Sequence, residues 1–277
     1  MGKPRLGWGA RGVGRRSTWR VAVATAGLVL LAWGPTARAA EPGRGALPQG
    51  LGAFAEYDCV QPLPTAPGHP ARFTMGDSNG LLHVYEARGT GYAEIWASRY
   101  LEGAVLALHV ADVNDDGVQE IVVATDRGRV HLFAVEGFAS LWSNVPGEYA
   151  GLSAATVANV DDDPQPELIL CAGGRLVIFD AKDQFEEWRS EQTGLAASDI
   201  LVADVDGDDQ QELVLSDGYV FDARLHSLEW QSPEGFGDRL GALDLDGDNI
   251  LELIGEFNGR YLKVFDVDLR RAKSLKP

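Results

Sequence analysis

The chain has 277 residues, 45% of them apolar, and a formal charge of −17 at pH 7. That composition is ordinary for a globular protein and excludes a disordered one. The acid excess excludes nucleic acid and anionic membrane surfaces as partners, since both are held by Lys and Arg neutralising phosphates, and it favours cations.

Residues 1–20 hold Lys3, Arg5, Arg11, Arg15, Arg16 and Arg20 and no acid. An apolar run from Val21 to Trp33 follows, and Ala37-Arg38-Ala39 places small residues at the two positions a signal peptidase reads. This pattern predicts a cleaved signal peptide over residues 1–39, a linker over 40–50 and a folded part over 51–277. The apolar run is shorter than the roughly 20 residues a membrane span needs, so no span is expected in the mature chain. Arg15-Arg16 also suits the twin-arginine route, and the choice of route stays open. Without residues 1–39, 17 of the 24 Lys and Arg face all 41 Asp and Glu, a formal −24. The expected location is secreted, periplasmic or elsewhere in the cell envelope.

Next come Phe73-Thr74-Met75, Gly80, Leu82-His83-Val84-Tyr85 and Trp96, two short strands and a closing tryptophan. From residue 100 the same plan recurs with an added acidic loop. The loops run Asp112-Val113-Asn114-Asp115-Asp116-Gly117-Val118-Gln119-Glu120, Asn159 to Glu167, Asp204 to Glu212 and Asp244 to Glu252. Their first residues lie 40 to 47 positions apart, a period that signals a solenoid or a propeller. After each loop comes an apolar strand, then a turn, then a strand ending in an aromatic: Phe133, Phe179, Phe221 or Phe265. Trp96, Trp142, Trp188 and Trp230 close the units and read as packing between them.

One unit is therefore four short strands, and radial stacking of such sheets protects their edges. The expected fold is all-β: a β-propeller of four-stranded blades, for which the residue arithmetic favours five, with a larger ring assembled from two chains, an open fragment or a coiled solenoid as the alternatives. The units run about 51–99, 100–143, 144–190, 191–232 and 233–277. The first shows no clear inner strand and the last no clear outer one. That predicts a shared closing blade, with residues 51–60 completing the ring.

Each loop sets oxygen side chains at positions one, three, five and nine. These are Asp112, Asn114, Asp116 and Glu120; Asn159, Asp161, Asp163 and Glu167; Asp204, Asp206, Asp208 and Glu212; and Asp244, Asp246, Asp248 and Glu252. Alternating acids on a tight loop can converge on one calcium ion, which takes six to eight oxygen ligands. Zinc would want Cys or His, and magnesium keeps its waters. These loops resemble those of FG-GAP/VCBS repeats, the calcium-binding propeller repeats of integrin α-chains and of exported bacterial proteins. The resemblance covers residues 100–277 and reaches 51–99 only through the later strands. It implies calcium held between the first two strands of a blade, with glycine usual at position six, where the backbone is left-handed. Gly117 matches and Asp209 and Asn249 are tolerated there, but Pro164 cannot adopt a positive φ. With Pro164 and the neutral Asn159, the second loop is the weakest of the four.

Five histidines are scattered: 69, 83, 109, 131 and 226. His83 and His131 fall at one repeat position and read as strand-face residues, and no nucleophile motif such as G-x-S-x-G occurs. No non-repeating catalytic cluster is legible. In an oxidising compartment Cys59 and Cys171 could pair, although the apolar run around Cys171 favours a buried thiol. The leading expectation is a non-catalytic binding or adhesion module for a protein or glycan. A polysaccharide-directed propeller enzyme and an assembly subunit of the cell envelope are the alternatives.

Overall fold

A computed structural model describes residues 59–273; the expected signal peptide, the linker and residues 51–58 lie outside the described residues. The described residues form twenty strands and no helix. They make five antiparallel sheets of four strands, each a meander in chain order. The first holds β1 (Val60–Leu63), β2 (Arg72–Gly76), β3 (Leu82–Arg88) and β4 (Gly91–Ala97). The second holds β5 (Val105–Ala111), β6 (Glu120–Thr125), β7 (Val130–Ala134) and β8 (Ser140–Ser143). The third holds β9 (Ala154–Ala158), β10 (Glu167–Ala172), β11 (Arg175–Asp180) and β12 (Phe185–Arg189). The fourth holds β13 (Ile200–Ala203), β14 (Glu212–Leu215), β15 (Tyr219–Asp222) and β16 (Leu228–Gln231). The fifth holds β17 (Arg239–Leu243), β18 (Glu252–Phe257), β19 (Tyr261–Asp266) and β20 (Arg271–Lys273). The architecture is a five-bladed β-propeller, and inner strands of successive sheets meet from β1 to β5, β9, β13 and β17.

The predicted sharing of a closing blade is not what the sheets show. Val60–Leu63 pairs with Arg72–Gly76 as the first sheet's own inner strand, and Arg271–Lys273 pairs with β19 as the fifth sheet's own outer strand. Both were hard to read for a physical reason. β1 reads VQPL, with Pro62 inside it, and proline is tolerated only at a sheet edge, which is where β1 lies. β20 is three residues long and carries no apolar pattern.

Burial follows position in the blade. In β10, ELILCA is buried at all six residues, because both faces of a middle strand are covered by neighbouring sheets. In β12, FEEWR is mostly exposed at the rim. Four apolar cores lie between successive sheets: Leu82 and Val84 against Ile121 and Val123, Val122 and Leu132 against Leu168 and Val177, Ile169 and Ile178 against Leu213 and Leu215, and Val214 and Val220 against Leu253 and Phe265. A tryptophan seals each seam. Trp96 meets Phe133 at 5.8 Å between centroids, Trp142 meets Phe179 at 5.0 Å, and Trp188 meets Phe221 at 6.4 Å. Trp230 reaches Phe265 through Phe236, by contacts of 5.3 and 5.0 Å. In the first four sheets a bulge interrupts the last strand pair just before the aromatic, between Val84 and Tyr85, Leu132 and Phe133, Ile178 and Phe179, and Val220 and Phe221. The pairing of β19 with β20 shows none.

Cys59 and Cys171 form no disulfide. Cys59 lies in the core between the first two sheets and Cys171 in that between the third and fourth.

Candidate metal centres

All four acidic loops join the first and second strands of a blade, and each places its ninth-position glutamate as the first residue of the second strand. Glu120, Glu167, Glu212 and Glu252 are at most 5% exposed. Each accepts the N–H of the second loop residue: Val113 at 3.1 Å, Val160 at 2.8 Å, Val205 at 2.7 Å and Leu245 at 2.7 Å. The glutamate thus clamps the loop onto the sheet.

The first-position aspartates shape the turn. Asp112 accepts the N–H groups of Asp116 and Gly117, Asp204 those of Gly207 and Asp209, and Asp244 those of Gly247 and Asn249. Position six is left-handed where predicted, with φ of 83° at Gly117, 67° at Asp209 and 72° at Asn249. Position four is left-handed too, at Asp115, Gly207 and Gly247, a feature the sequence reading had not singled out. In the first loop the Asn114 side-chain amide donates to Glu120 at 3.3 Å, and that loop's acids are not among those that converge within 4.8 Å among the described residues.

The second loop lacks these turns, as Pro164 requires. The amide nitrogen of Asn159 donates to the carbonyls of Asp163 and Gln165, at 2.5 and 3.2 Å. Its acids nevertheless converge. Ligand oxygens of Asp161, Asp163 and Glu167 lie within 4.8 Å of one another, as do those of Asp204, Asp206 and Glu212 and those of Asp244, Asp246 and Asp248. One oxygen each of Asp163 and Glu167 is buried without a hydrogen-bond partner. The loop poorest by composition therefore holds the clearest unmet demand for a cation.

Electrostatics point the same way. Burial pushes the carboxyls of Glu167 and Glu212 up to about 8, against the lowering effect of the Val160 and Val205 N–H groups. Burial also raises Glu120, and raises Asp163 and Asp206 with help from their acidic neighbours. Two further acids, missed in the sequence, extend these loops. Glu187 is raised by burial and by Asp161, Asp180 and Asp163, and Glu229 by burial and by Asp206, Asp222 and Asp208. The available signal was that each directly precedes a seam tryptophan, Trp188 or Trp230. Buried carboxylates without a counter-charge are costly. The donor set is all oxygen, with orphaned buried atoms, and this fits a hard divalent cation of calcium type.

The loops also touch the next blade. Lys182, in the turn after β11, pairs with Asp115 at 3.1 Å, and Arg224, in the turn after β15, pairs with Asp162 at 2.5 Å. Of the histidines, His131 is buried and His109 half-buried, with a ring nitrogen 3.2 Å from the carbonyl of Leu101 and 3.3 Å from that of Ala155, and desolvation lowers both. His83 stands on a strand face, in β3. It lies between Glu94, 3.1 Å away, and Asp77, 3.5 Å away, in a polar group that does not repeat in the other blades.

No protein-family model matches the chain, and no curated protein matches it. Among solved structures it is similar to BBS1N in complex with ARL6DN, soaked with lead, at 13% identity and a TM-score of 0.55, over 78% of this chain and 66% of that one. It is similar to Sqt1 of Saccharomyces cerevisiae at 11% identity and a TM-score of 0.54, over 70% of this chain and 55% of that one. The WD40 domain of Neurospora crassa Pan2 gives 15% identity and a TM-score of 0.50, over 73% of this chain and 61% of that one. This chain therefore spans less than two thirds of each of these structures. What it shares with them is the β-propeller fold.

Proposed function

We propose that this protein is an exported calcium-binding β-propeller of the FG-GAP/VCBS kind, acting as a non-catalytic binding or adhesion module for a protein or a glycan. The observation that carries the calcium half is the convergence of carboxylates in three loops, with buried oxygens of Asp163 and Glu167 left unpartnered. The binding half rests on the fold, a rigid scaffold whose loops are free to recognise a partner. BBS1N, a similar propeller, is seen in complex with ARL6DN. The assembly-subunit alternative drew on an incomplete terminal sheet, and both terminal sheets have four strands of their own.

Thermal unfolding of the chain lacking residues 1–39, in chelator, in millimolar magnesium and in millimolar calcium, tests the metal. Extracellular calcium modules bind at about 10⁻⁴–10⁻³ M, so two or three sites should add roughly 1–4 kcal/mol. A rise specific to calcium is expected. Equal unfolding in all three buffers would reduce the acids to solvated turns and end the calcium reading.

A further inference from the structure

Three of the four acidic loops close their turn in one way. The position-five acid, Asp116, Asp208 or Asp248, accepts the N–H of position seven, at 2.8, 2.8 and 2.9 Å. The second loop has Pro164 at position six and a neutral Asn159 at position one, and here the side chain of position seven takes a part. Gln165 is 4% exposed, whereas at the same position Val118 and Gln210 are exposed and Ile250 is half-buried. The Gln165 side-chain Nε2 donates to Oδ2 of Asp163, and its backbone carbonyl accepts the Asn159 amide at 3.2 Å.

The other end of this amide is held from the side. Lys182, in the turn after β11, donates to Gln165 Oε1 at 3.5 Å, and the same ammonium donates to Asp115, in the loop of the preceding blade, at 3.1 Å. These neighbours fix which way the amide points. Turned over, it would set its oxygen against the Asp163 carboxylate and its NH₂ against the ammonium. Gln165 thus holds Oδ2 of Asp163, and the Val160 N–H holds Oε2 of Glu167 at 2.8 Å. The remaining oxygen of each acid, Asp163 Oδ1 and Glu167 Oε1, is buried without a hydrogen-bond partner.

We propose that Gln165 is a positioning residue of the second loop, turning Asp163 so that Oδ1 meets the cation, and that Lys182 braces it against Asp115; this rests on the calcium reading above. A metal-binding carboxylate is oriented by whatever holds its other oxygen, and losing that partner typically lowers metal affinity about 10–100-fold. Proline bars the left-handed turn at position six, so the loop takes its shape from side chains instead. A neutral amide suits the task. It fixes one oxygen while leaving the attraction of the acids for a divalent ion intact, whereas a cation in its place would oppose that ion. The nearest cation, Lys182, is half-neutralised by its pairing with Asp115 and reaches the acids only through Gln165.

The isotope-labelled protein recovered from expression of the full chain should be titrated with calcium and followed by NMR. The N–H groups held by the four glutamates, those of Val113, Val160, Val205 and Leu245, report each loop separately. Gln165→Met, close in volume and equal in charge, should weaken calcium at the Val160 reporter roughly tenfold or more and leave Val205 and Leu245 within about twofold. Lys182→Met lies at an exposed turn and does not threaten folding. In about 0.5 M salt, where loss of a nearby positive charge is screened, it should weaken the same site about threefold. Unchanged affinity at Val160 in Gln165→Met, or an equal loss at all loops, would overturn the positioning role. Unchanged or tighter binding by Lys182→Met would overturn the brace. A wild-type protein that takes up no calcium at any loop would end the calcium reading and this proposal together; calcium uptake indifferent to Gln165→Met would end this proposal alone.

Discussion

The third sheet and the first share one strand plan and differ in what lies against them. In the third, β10 and β11 are buried between neighbours on both sides, and Ile169 and Ile178 are 0% exposed. In the first, the face toward the second sheet is packed, while Phe73 and Tyr85 on the other are half-buried and Tyr92 is 61% exposed. The acidic loop shows the same division: the third sheet has one, and the first has residues 64–71, PTAPGHPA, in its place. Among the described residues, the third sheet is thus packed on both faces and the first on the face toward the second sheet.

The largest effect that could break this comparison is a core truncation. Ile169→Ala should cost about 2–5 kcal/mol in denaturant unfolding, and Phe73→Ala about half of that or less, because only part of the ring is out of water. Equal costs would mean the first sheet's outer face is sealed in solution.

Next in size is the loop chemistry. The composition of the second loop expects Asp163→Ala to remove less of the calcium-induced rise in Tm than Asp206→Ala does. The geometry, with unpartnered oxygens on Asp163 and Glu167, expects at least as much. Melting curves of both variants with and without calcium decide between them.

The pH dependence sharpens the same point. Folding raises Glu167 and Glu212 from 4.5 to about 8, so between these values the folded state holds more protons than the unfolded one. In chelator, stability should therefore fall as pH rises from about 4.5 to about 8. Bound calcium would keep these groups ionised and flatten that slope. Glu212→Gln should reduce the fall in chelator and lose part of the calcium response; a slope unaffected by both the ion and the variant would count against the clamp.

The smallest effect concerns the contact between blades at the loop face. Arg224→Ala, which removes the exposed pair with Asp162, should change stability by less than about 1 kcal/mol. A larger loss would show that the second loop depends on its neighbouring blade.

Much of this was legible in the residues because the repeat wrote the same physics several times. Four loops of alternating acids, four tryptophans and four apolar strands located the blades and the candidate ligands. Elements that departed from the repeat were missed: Val60–Leu63 with its internal proline, and the three-residue β20. Glu187 and Glu229 were missed because they approach the loops from other strands. His83 was read as equivalent to His131 by repeat position, and only the approach of Glu94 and Asp77 sets it apart.

The sequence by itself determined the strand-rich repeat, the oxygen-only donor set and the acidic character, since period, residue type and charge are local properties of the chain. Tertiary structure alone decided which oxygens converge and which are left without partners. Those depend on backbone turns and on how neighbouring strands and sheets pack, and neither is encoded at any single position.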